Sequence, residues 1–147
     1  MAAAAGVPAF VVDVSIAAAW VMPDERSDAS DRLLTGLRTT YGLVPTLFWF
    51  EARNLCLMGE RRGRLRPGEA ILSMAQLRAL PLRDAGPGDD AVTLMLAMKY
   101  DLTGYDASYL ALAIAATLPL ATLDRKLAAA ARVGGVAILG PLAEVSG

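Results

Sequence analysis

The stretch from Thr103 to Arg125, TGYDASYLALAIAATLPLATLDR, constrains the fold of this chain more than any other part. Ala107 to Leu118 contains good helix formers and no Gly or Pro, which predicts a helix, and Pro119 ends that helix. The apolar run Leu120–Leu123 then suits a short buried strand. A helix of about twelve residues is roughly 18 Å long. A strand that runs antiparallel to it therefore returns the chain to the level at which the helix began.

Two aspartates lie at the ends of this helix–strand unit. Asp106 stands where the helix should begin, and Asp124 follows the strand. If the strand joins a parallel sheet, both carboxylates lie at the carboxyl edge, where open α/β folds bind their ligands. We therefore expect an acidic metal site at this edge.

The same alternation of short apolar strands and helices extends along the chain. Further strands are predicted at Ala9–Val12, Gly42–Pro45, Leu80–Arg83 (as an edge strand) and Val136–Leu139. The predicted helices are Ile16–Met22 with Ser15 as N-cap, Asp24 to about Arg38, Thr46 to about Glu60, Pro67–Ala79, about Ala91 to Tyr100 with Asp89 or Asp90 as cap, and Arg125–Arg132. This pattern predicts one domain over residues 1–147, an α/β fold of three α/β/α layers around a parallel sheet of about four to five strands.

Two more acids are expected at the same edge. Asp13 follows the first strand, and Glu51 lies early in the helix after the second strand, within the apolar sequence TLFWFEARNLCLMGE. That helix is apolar nearly all round, so we expect it to be largely buried, in the core or at a dimer interface. A buried carboxylate needs a partner, and we expect a cationic one for Glu51. Each acid also has a structural alternative, which is helix capping for the aspartates and an ion pair for Glu51.

Four carboxylates in one cleft repel each other unless some stay protonated or a cation joins them. Hard oxygen ligands favour Mg²⁺ or Mn²⁺ over zinc, and such ions promote phosphodiester hydrolysis. The chain contains no histidine, which excludes a Ser-His-Asp triad, His-ligated zinc and a histidine general base.

Composition sets further limits. The hydrophobic fraction of 55% supports a substantial core. Fourteen basic and fifteen acidic residues give a net charge of -1, so any nucleic-acid contact must be local. One cysteine, Cys56, excludes an internal disulfide and is more typical of a core residue than of a reactive thiol. The N-terminal MAAAAGVPAF lacks the basic segment of a signal peptide, and no apolar run reaches the length of a membrane span, so we expect a soluble cytoplasmic protein.

A basic cluster follows the Glu51 helix in the sequence ERRGRLRPG. It contains Arg61, Arg62, Arg64 and Arg66. These side chains are candidates for phosphate contacts, and a solvated helix end is the equally good alternative. Asn54 lies one helical turn after Glu51, on roughly the same face.

Taken together, these segments resemble the PIN domain nucleases, in particular the VapC-type toxins of toxin–antitoxin pairs. The matching segments run from about Phe10 to Leu139 and are FVVDVSIAAAW, PTLFWFEARNLC, ERRGRL, LTGYDASYLALA and LATLDRKLAAAA. The resemblance implies a metal-dependent endoribonuclease in which Asp13, Glu51, Asp106 and Asp124 surround Mg²⁺ or Mn²⁺. Ser15 and Thr122 match positions where the family often has a polar residue, and Asn54 matches a frequent asparagine. A homodimer and a small cognate antitoxin that blocks the site are also implied.

Three alternatives have different consequences. A catalytically silent PIN-like module would bind a protein partner or RNA without metal-dependent cleavage. A phosphotransfer domain using Asp13 is disfavoured, because Ser15 stands where an Asp-x-Asp motif would have its second aspartate. A dinucleotide-binding domain is disfavoured because no Gly-x-Gly-x-x-Gly turn follows Asp13.

Overall fold

A computed structural model describes residues 6–143 of the chain. Residues 1–5 and 144–147 lie outside the described part. The single domain over 1–147 and the absence of a signal peptide involve these residues, so both stay predictions. The strands are β1 (Phe10–Val12), β2 (Gly42–Val44), β3 (Leu82–Asp84), β4 (Leu120–Ala121) and β5 (Ile138–Leu139). The helices are α1 (Val14–Val21), α2 (Asp28–Gly36), α3 (Leu47–Arg61), α4 (Glu69–Ala79), α5 (Asp90–Tyr100), α6 (Gly104–Ala116) and α7 (Arg125–Val133), with a 3₁₀ turn at Pro23–Glu25.

The strands form one parallel sheet in the order β3-β2-β1-β4-β5. The predicted three-layer α/β/α fold is confirmed, as is the edge position of β3. The central strand β1 is fully buried, with Phe10, Val11 and Val12 each 0% exposed. A strand covered on both faces must be apolar throughout rather than alternating, which is the pattern of FVV.

Helix starts differ most from the sequence predictions. Residues 24–38 were expected to form one helix, but the chain forms the 3₁₀ turn and then α2. Ser27 caps α2 with a capping box, because its hydroxyl accepts from the Ser30 amide while Ser30 accepts from the Ser27 amide. The prediction of Ser15 as the cap of α1 is wrong, because the helix begins one residue before it, at Val14.

Helix α6 begins earlier than predicted, at Gly104, and ends at Ala116. Thr103 is its N-cap, and its hydroxyl accepts from the Asp106 amide at 3.0 Å. Asp106 therefore lies in the first turn, and the capping alternative for this aspartate is wrong. Two residues before Pro119, Thr117 adopts a left-handed conformation with φ 54°, which ends the helix.

Helix α3 is less buried than its composition predicts. Phe48 and Ala52 are in the core, and Cys56 is buried as expected, but Phe50 is 61% exposed and Leu57 is 41% exposed. One face of α3 therefore packs against the protein and another carries apolar groups to the surface. No helix within residues 6–143 has the length and apolar character that a membrane span requires.

Candidate active site

The candidate site lies where the strand order reverses. β1 pairs with β2 on one side and with β4 on the other, so the chain moves outward in opposite directions from these two central strands. Such a switch point opens a crevice at the carboxyl ends of the strands. Asp13 directly follows β1, and Thr122 directly follows β4. The Asp13 amide donates to the Ala121 carbonyl oxygen at 3.0 Å, so the two strand ends are in register.

Asp13 is almost completely buried and is held by two hydroxyl groups. Ser15 Oγ donates to Asp13 Oδ2 at 2.6 Å, and Thr122 Oγ1 donates to the same oxygen at 2.7 Å. Asp13 occupies the N-cap position of α1, but its side chain makes no capping hydrogen bond. The capping alternative therefore does not describe Asp13, whose carboxylate is oriented by side chains instead.

The two hydroxyl groups are themselves held by the loop after β4. Ser15 Oγ accepts from the Leu123 amide at 2.8 Å, and Thr122 Oγ1 accepts from the Asp124 amide at 3.0 Å. A hydroxyl has one proton to donate. Because each amide supplies a proton of its own, both hydroxyl protons can go to Asp13. Ser15 and Thr122, predicted as supporting polar residues, therefore lie directly beside the Asp13 carboxylate.

Asp124 combines a capping role with a position at the site. It is the N-cap of α7, and its Oδ1 accepts from the Leu127 amide at 3.0 Å. The capping alternative is thus correct for this residue, but capping occupies one carboxylate oxygen with one hydrogen bond. The Asp124 charge still acts on its neighbours, because it contributes to the raised pKa values of Asp13 and Asp106.

Glu51 has a partner other than the one predicted. The Tyr109 hydroxyl of α6 donates to Glu51 Oε1 of α3 at 2.7 Å. The ion pairs among the described residues do not include Glu51, so the expectation of a cationic partner is wrong. A neutral phenol satisfies one oxygen and leaves the negative charge uncompensated. Tyr109 itself is 0% exposed, so its ring is fixed by the core.

The carboxylates raise one another's pKa values. Burial raises the pKa of Asp13, although the hydrogen bonds from Ser15 and Thr122 lower it again. Burial also raises the pKa of Glu51, and the charges of Asp13 and Asp106 add to this. The pKa of Asp106 rises through burial and then through the charges of Asp124 and Asp13. Acids from four separate parts of the sequence therefore lie near enough for their charges to act on one another, and a joint role in holding a metal ion stays a prediction.

No lysine or arginine forms an ion pair with these four acids among the described residues. The ion pairs found there use Asp24, Glu25, Asp31, Glu69 and Asp101 instead. Within residues 6–143, no group of three or more Asp, Glu, Cys or His side chains lies close enough together to hold a metal ion in the positions described. The fit to a divalent ion therefore rests on donor chemistry, because carboxylate oxygens beside hydroxyl groups suit Mg²⁺ or Mn²⁺.

A groove of ≈ 700 Å³ runs along α3 from Glu51 towards the turn after the helix. Its lining residues include Glu51, Asn54, Tyr105, Arg62 and Arg64. Asn54 therefore lies on the same side as Glu51, as predicted. Of the four acids, Glu51 lines this groove, and Arg62 and Arg64 line it towards the other end of α3, where they suit a ligand that carries negative charge.

The four arginines of the basic cluster differ in their surroundings. Arg64 donates to Asp24 Oδ1 at 2.9 Å and also contacts Glu25, so its guanidinium group is engaged by the 3₁₀ turn. Arg66 lies 3.9 Å from Glu69. Arg61 and Arg62 are exposed, and they are not part of the ion pairs of the described residues. Of these two, Arg62 lines the groove.

Sequence reasoning missed two residues of the site. Thr103 begins α6 and so sets the position of Asp106, and Tyr109 holds Glu51. A signal for Tyr109 was present, because a residue three positions after Asp106 on a helix lies on the same face.

Comparison with known proteins identifies the class to which this fold and site belong. The family model described as PIN domain matches residues 10–133, and the chain belongs to this family. The resemblance inferred from the motifs is thereby confirmed. Among particular proteins, the chain is similar to ribonuclease VapC3 of Pyrobaculum aerophilum. The two are 37% identical over 123 residues, which cover 80% of this chain and 91% of the relative.

Two solved structures share the fold. The crystal structure of PAE2754 from Pyrobaculum aerophilum superposes with a TM-score of 0.65 at 25% identity, covering 82% of this chain and 78% of that one. VapBC2 from Rickettsia felis, bound to a DNA fragment from their promoter, gives a TM-score of 0.58 at 11% identity. That match covers 88% of this chain and 96% of the other and shows similarity of fold alone.

Proposed function

We propose that the chain is a Mg²⁺- or Mn²⁺-dependent endoribonuclease and the toxin of a toxin–antitoxin pair. The observation that supports this proposal is the electrostatic coupling at the switch point of a PIN domain sheet, where the charge of Asp124 acts on Asp13 and Asp106, and the charges of Asp13 and Asp106 act on Glu51. The similarity to a ribonuclease of the VapC type supports RNA as the substrate.

The four acids are the residues that would hold the ion. When bound, the ion would neutralise the carboxylates, lower the pKa of an attacking water and stabilise charge on a phosphodiester oxygen. The protein's own contribution is positioning. Ser15 and Thr122 fix Asp13, the helix cap fixes Asp124, and Thr103 sets the turn that carries Asp106. Histidine chemistry is not available to this chain.

The groove along α3 is the proposed path of the RNA strand. Asn54 lies in it one helical turn after Glu51, and Arg62 lies towards the other end of α3. Arg62 is the most suitable phosphate contact in the cluster, because Arg64 is engaged by Asp24 and Glu25. Arg61 and Arg66 lie outside the groove lining, so a phosphate contact there would require RNA beyond the groove.

Two protein partners belong to the proposal. A small cognate antitoxin would block the site. The similarity in fold to VapBC2 from Rickettsia felis supports this part of the proposal. A homodimer is the second proposal, and α5 supports it with four exposed apolar side chains, Val92, Leu94, Met95 and Met98. Exposed apolar clusters of this kind commonly mark interfaces. We place the activity in the cytoplasm, where the RNA substrate is found.

Cleavage of total cellular RNA tests the function directly. Purified protein should cut RNA with Mg²⁺ or Mn²⁺ and stop when EDTA is added, and Asp106→Asn should lower the rate at least about 100-fold while circular dichroism shows a folded protein. Mapped cut sites would define the specificity. Tight RNA or protein binding without metal-dependent cleavage would favour the silent PIN-like module instead, and unchanged cleavage by Asp106→Asn would refute the catalytic assignment.

A further inference from the structure

The contact between Tyr109 and Glu51 joins two helices across the candidate site. Glu51 lies in the second turn of α3, while Tyr109 lies one turn after Asp106 on α6. The helix that carries one acid therefore also carries the donor that holds another. This is the hydrogen bond found for the Glu51 side chain among the described residues.

A glutamate in this place needs such a restraint. Its side chain has three rotatable bonds, and fixing a long side chain in one orientation costs conformational entropy. Glu51 is half-buried and repelled by the charges of Asp13 and Asp106, which favours rotation of its carboxylate towards solvent and away from the other acids. Tyr109 is fully buried, so its hydroxyl group is immobile. The hydrogen bond from this hydroxyl to the charged carboxylate of Glu51 counteracts the rotation.

We propose that Tyr109 is a positioning residue for Glu51, holding this carboxylate near Asp13 and Asp106 so that it can take part in binding the divalent ion. The inference rests on the proposed function, since it assigns a role within the same site. Tyr109 does not touch the ion or the RNA in this scheme. It acts only through Glu51.

A double-mutant cycle on Mn²⁺ affinity tests the proposal without using cleavage. Tyr109→Phe keeps the buried ring and removes only the hydroxyl group, and it should weaken Mn²⁺ binding about 10-fold, as is usual for residues that orient a ligand. In a Glu51→Ala background, the same change should have no further effect. Tyr100→Phe, which removes a hydroxyl from a partly buried ring on α5, is the matched control and should bind Mn²⁺ as the wild type does.

The cycle separates positioning from packing. A purely structural tyrosine would either leave the affinity unchanged or weaken it equally in both backgrounds, and either result would overturn the proposal. An effect that disappears in the Glu51→Ala background would support it.

A metal-free measurement makes the test independent of the proposed function. In protein with ¹³C-labelled glutamate, the Glu51 side chain, assigned by its loss in Glu51→Gln, should become more mobile in Tyr109→Phe and stay ordered in Tyr100→Phe. Unchanged mobility would overturn the proposal. If wild-type protein bound no Mn²⁺, the metal-dependent function would fail, and the mobility of Glu51 would still decide whether Tyr109 holds it.

Discussion

Thr122 Oγ1 donates a hydrogen bond to Asp13 Oδ2 at 2.7 Å, although the two residues are 109 positions apart in sequence. They meet because β1 and β4 are neighbours in the sheet and their carboxyl ends are in register. Ser15 donates to the same oxygen. Ser15 at the start of α1 and Thr122 directly after β4 thus hold the same oxygen of Asp13.

Removing the Thr122 hydroxyl should weaken metal binding through its effect on Asp13. Thr122→Val keeps the buried shape but leaves Asp13 Oδ2 with one hydroxyl donor and the Asp124 amide without its acceptor. We expect roughly a 10- to 100-fold loss in Mn²⁺ affinity, measured by calorimetry. Thr122→Ser retains the hydroxyl and should bind close to the wild type. Equal affinity of the Val and Ser variants would contradict the role of this hydrogen bond.

Asp124 allows its capping and its charge to be separated. Asp124→Asn keeps a side-chain oxygen for the Leu127 amide, so the free energy of unfolding should change little while RNA cleavage falls strongly. Asp124→Ala should lose cleavage and also about 1 kcal/mol of stability through the lost cap. Urea denaturation and a cleavage assay on both variants measure the two effects. An Asn variant that cleaves at the wild-type rate would remove Asp124 from the catalytic set.

The pH dependence of stability should reveal the crowded carboxylates. Asp13, Glu51 and Asp106 have raised pKa values in the folded protein, so each binds protons more strongly when folded than when unfolded. Their stabilising contribution is therefore complete below the ordinary values of 3.8 and 4.5 and is lost as the pH rises through the raised values. In EDTA, the free energy of unfolding should fall across this window.

One substitution should reduce that pH dependence, and a matched substitution should not. Asp13→Asn removes one of the titrating groups, whereas Asp90→Asn, at an exposed position of α5, should keep the wild-type profile.

Adding Mg²⁺ or Mn²⁺ near neutral pH should raise the melting temperature, because a ligand of the folded state stabilises it. Thermal unfolding between pH 4.5 and 8 measures both the pH profile and this shift. A melting temperature that is insensitive to either metal would argue against the site.

Arg62 should contribute to RNA affinity through a phosphate contact in the groove. Arg62→Gln is expected to weaken binding of a non-cleavable RNA and to reduce the slope of log affinity against log salt by about 1. Arg66→Gln, which changes an exposed residue outside the groove lining, is the control for loss of charge alone. Equal effects of the two variants would assign the attraction to overall charge rather than to the groove.

The apolar face of α5 predicts self-association. Met98 is 81% exposed and Met95 is 69% exposed, and they lie one turn apart with Val92 one turn before them. If this face forms the dimer interface, sedimentation equilibrium should show a dimer for the wild type and a monomer for Met98→Glu. Leu72→Glu changes an exposed leucine on α4 instead and should stay dimeric. If Leu72→Glu gave a monomer and Met98→Glu stayed dimeric, the dimer interface would lie on α4 and not on α5.

The sequence determined the layers and the edge at which the acids lie. Continuous apolar strands such as Phe10–Val12 have to be covered on both faces, and helices between them force parallel pairing. Residues that follow such strands lie at one edge whatever the details, which is why Asp13 and Asp124 could be placed from their positions in the sequence alone. The sequence motifs that resemble the PIN domain family lie in these same strand ends and helix starts.

Only the tertiary structure decided the partners of these acids. Short-range patterns do not report which side chain from a distant element reaches a buried oxygen, so the sequence suggested a cationic partner for Glu51 where the fold supplies the Tyr109 hydroxyl. The ion pair of Arg64 with Asp24 likewise depends on how the turn after α3 meets the turn after α1. Strand order brings Thr122 to Asp13, because hydrogen bonds between strands are fixed by the sheet and not by distance along the chain.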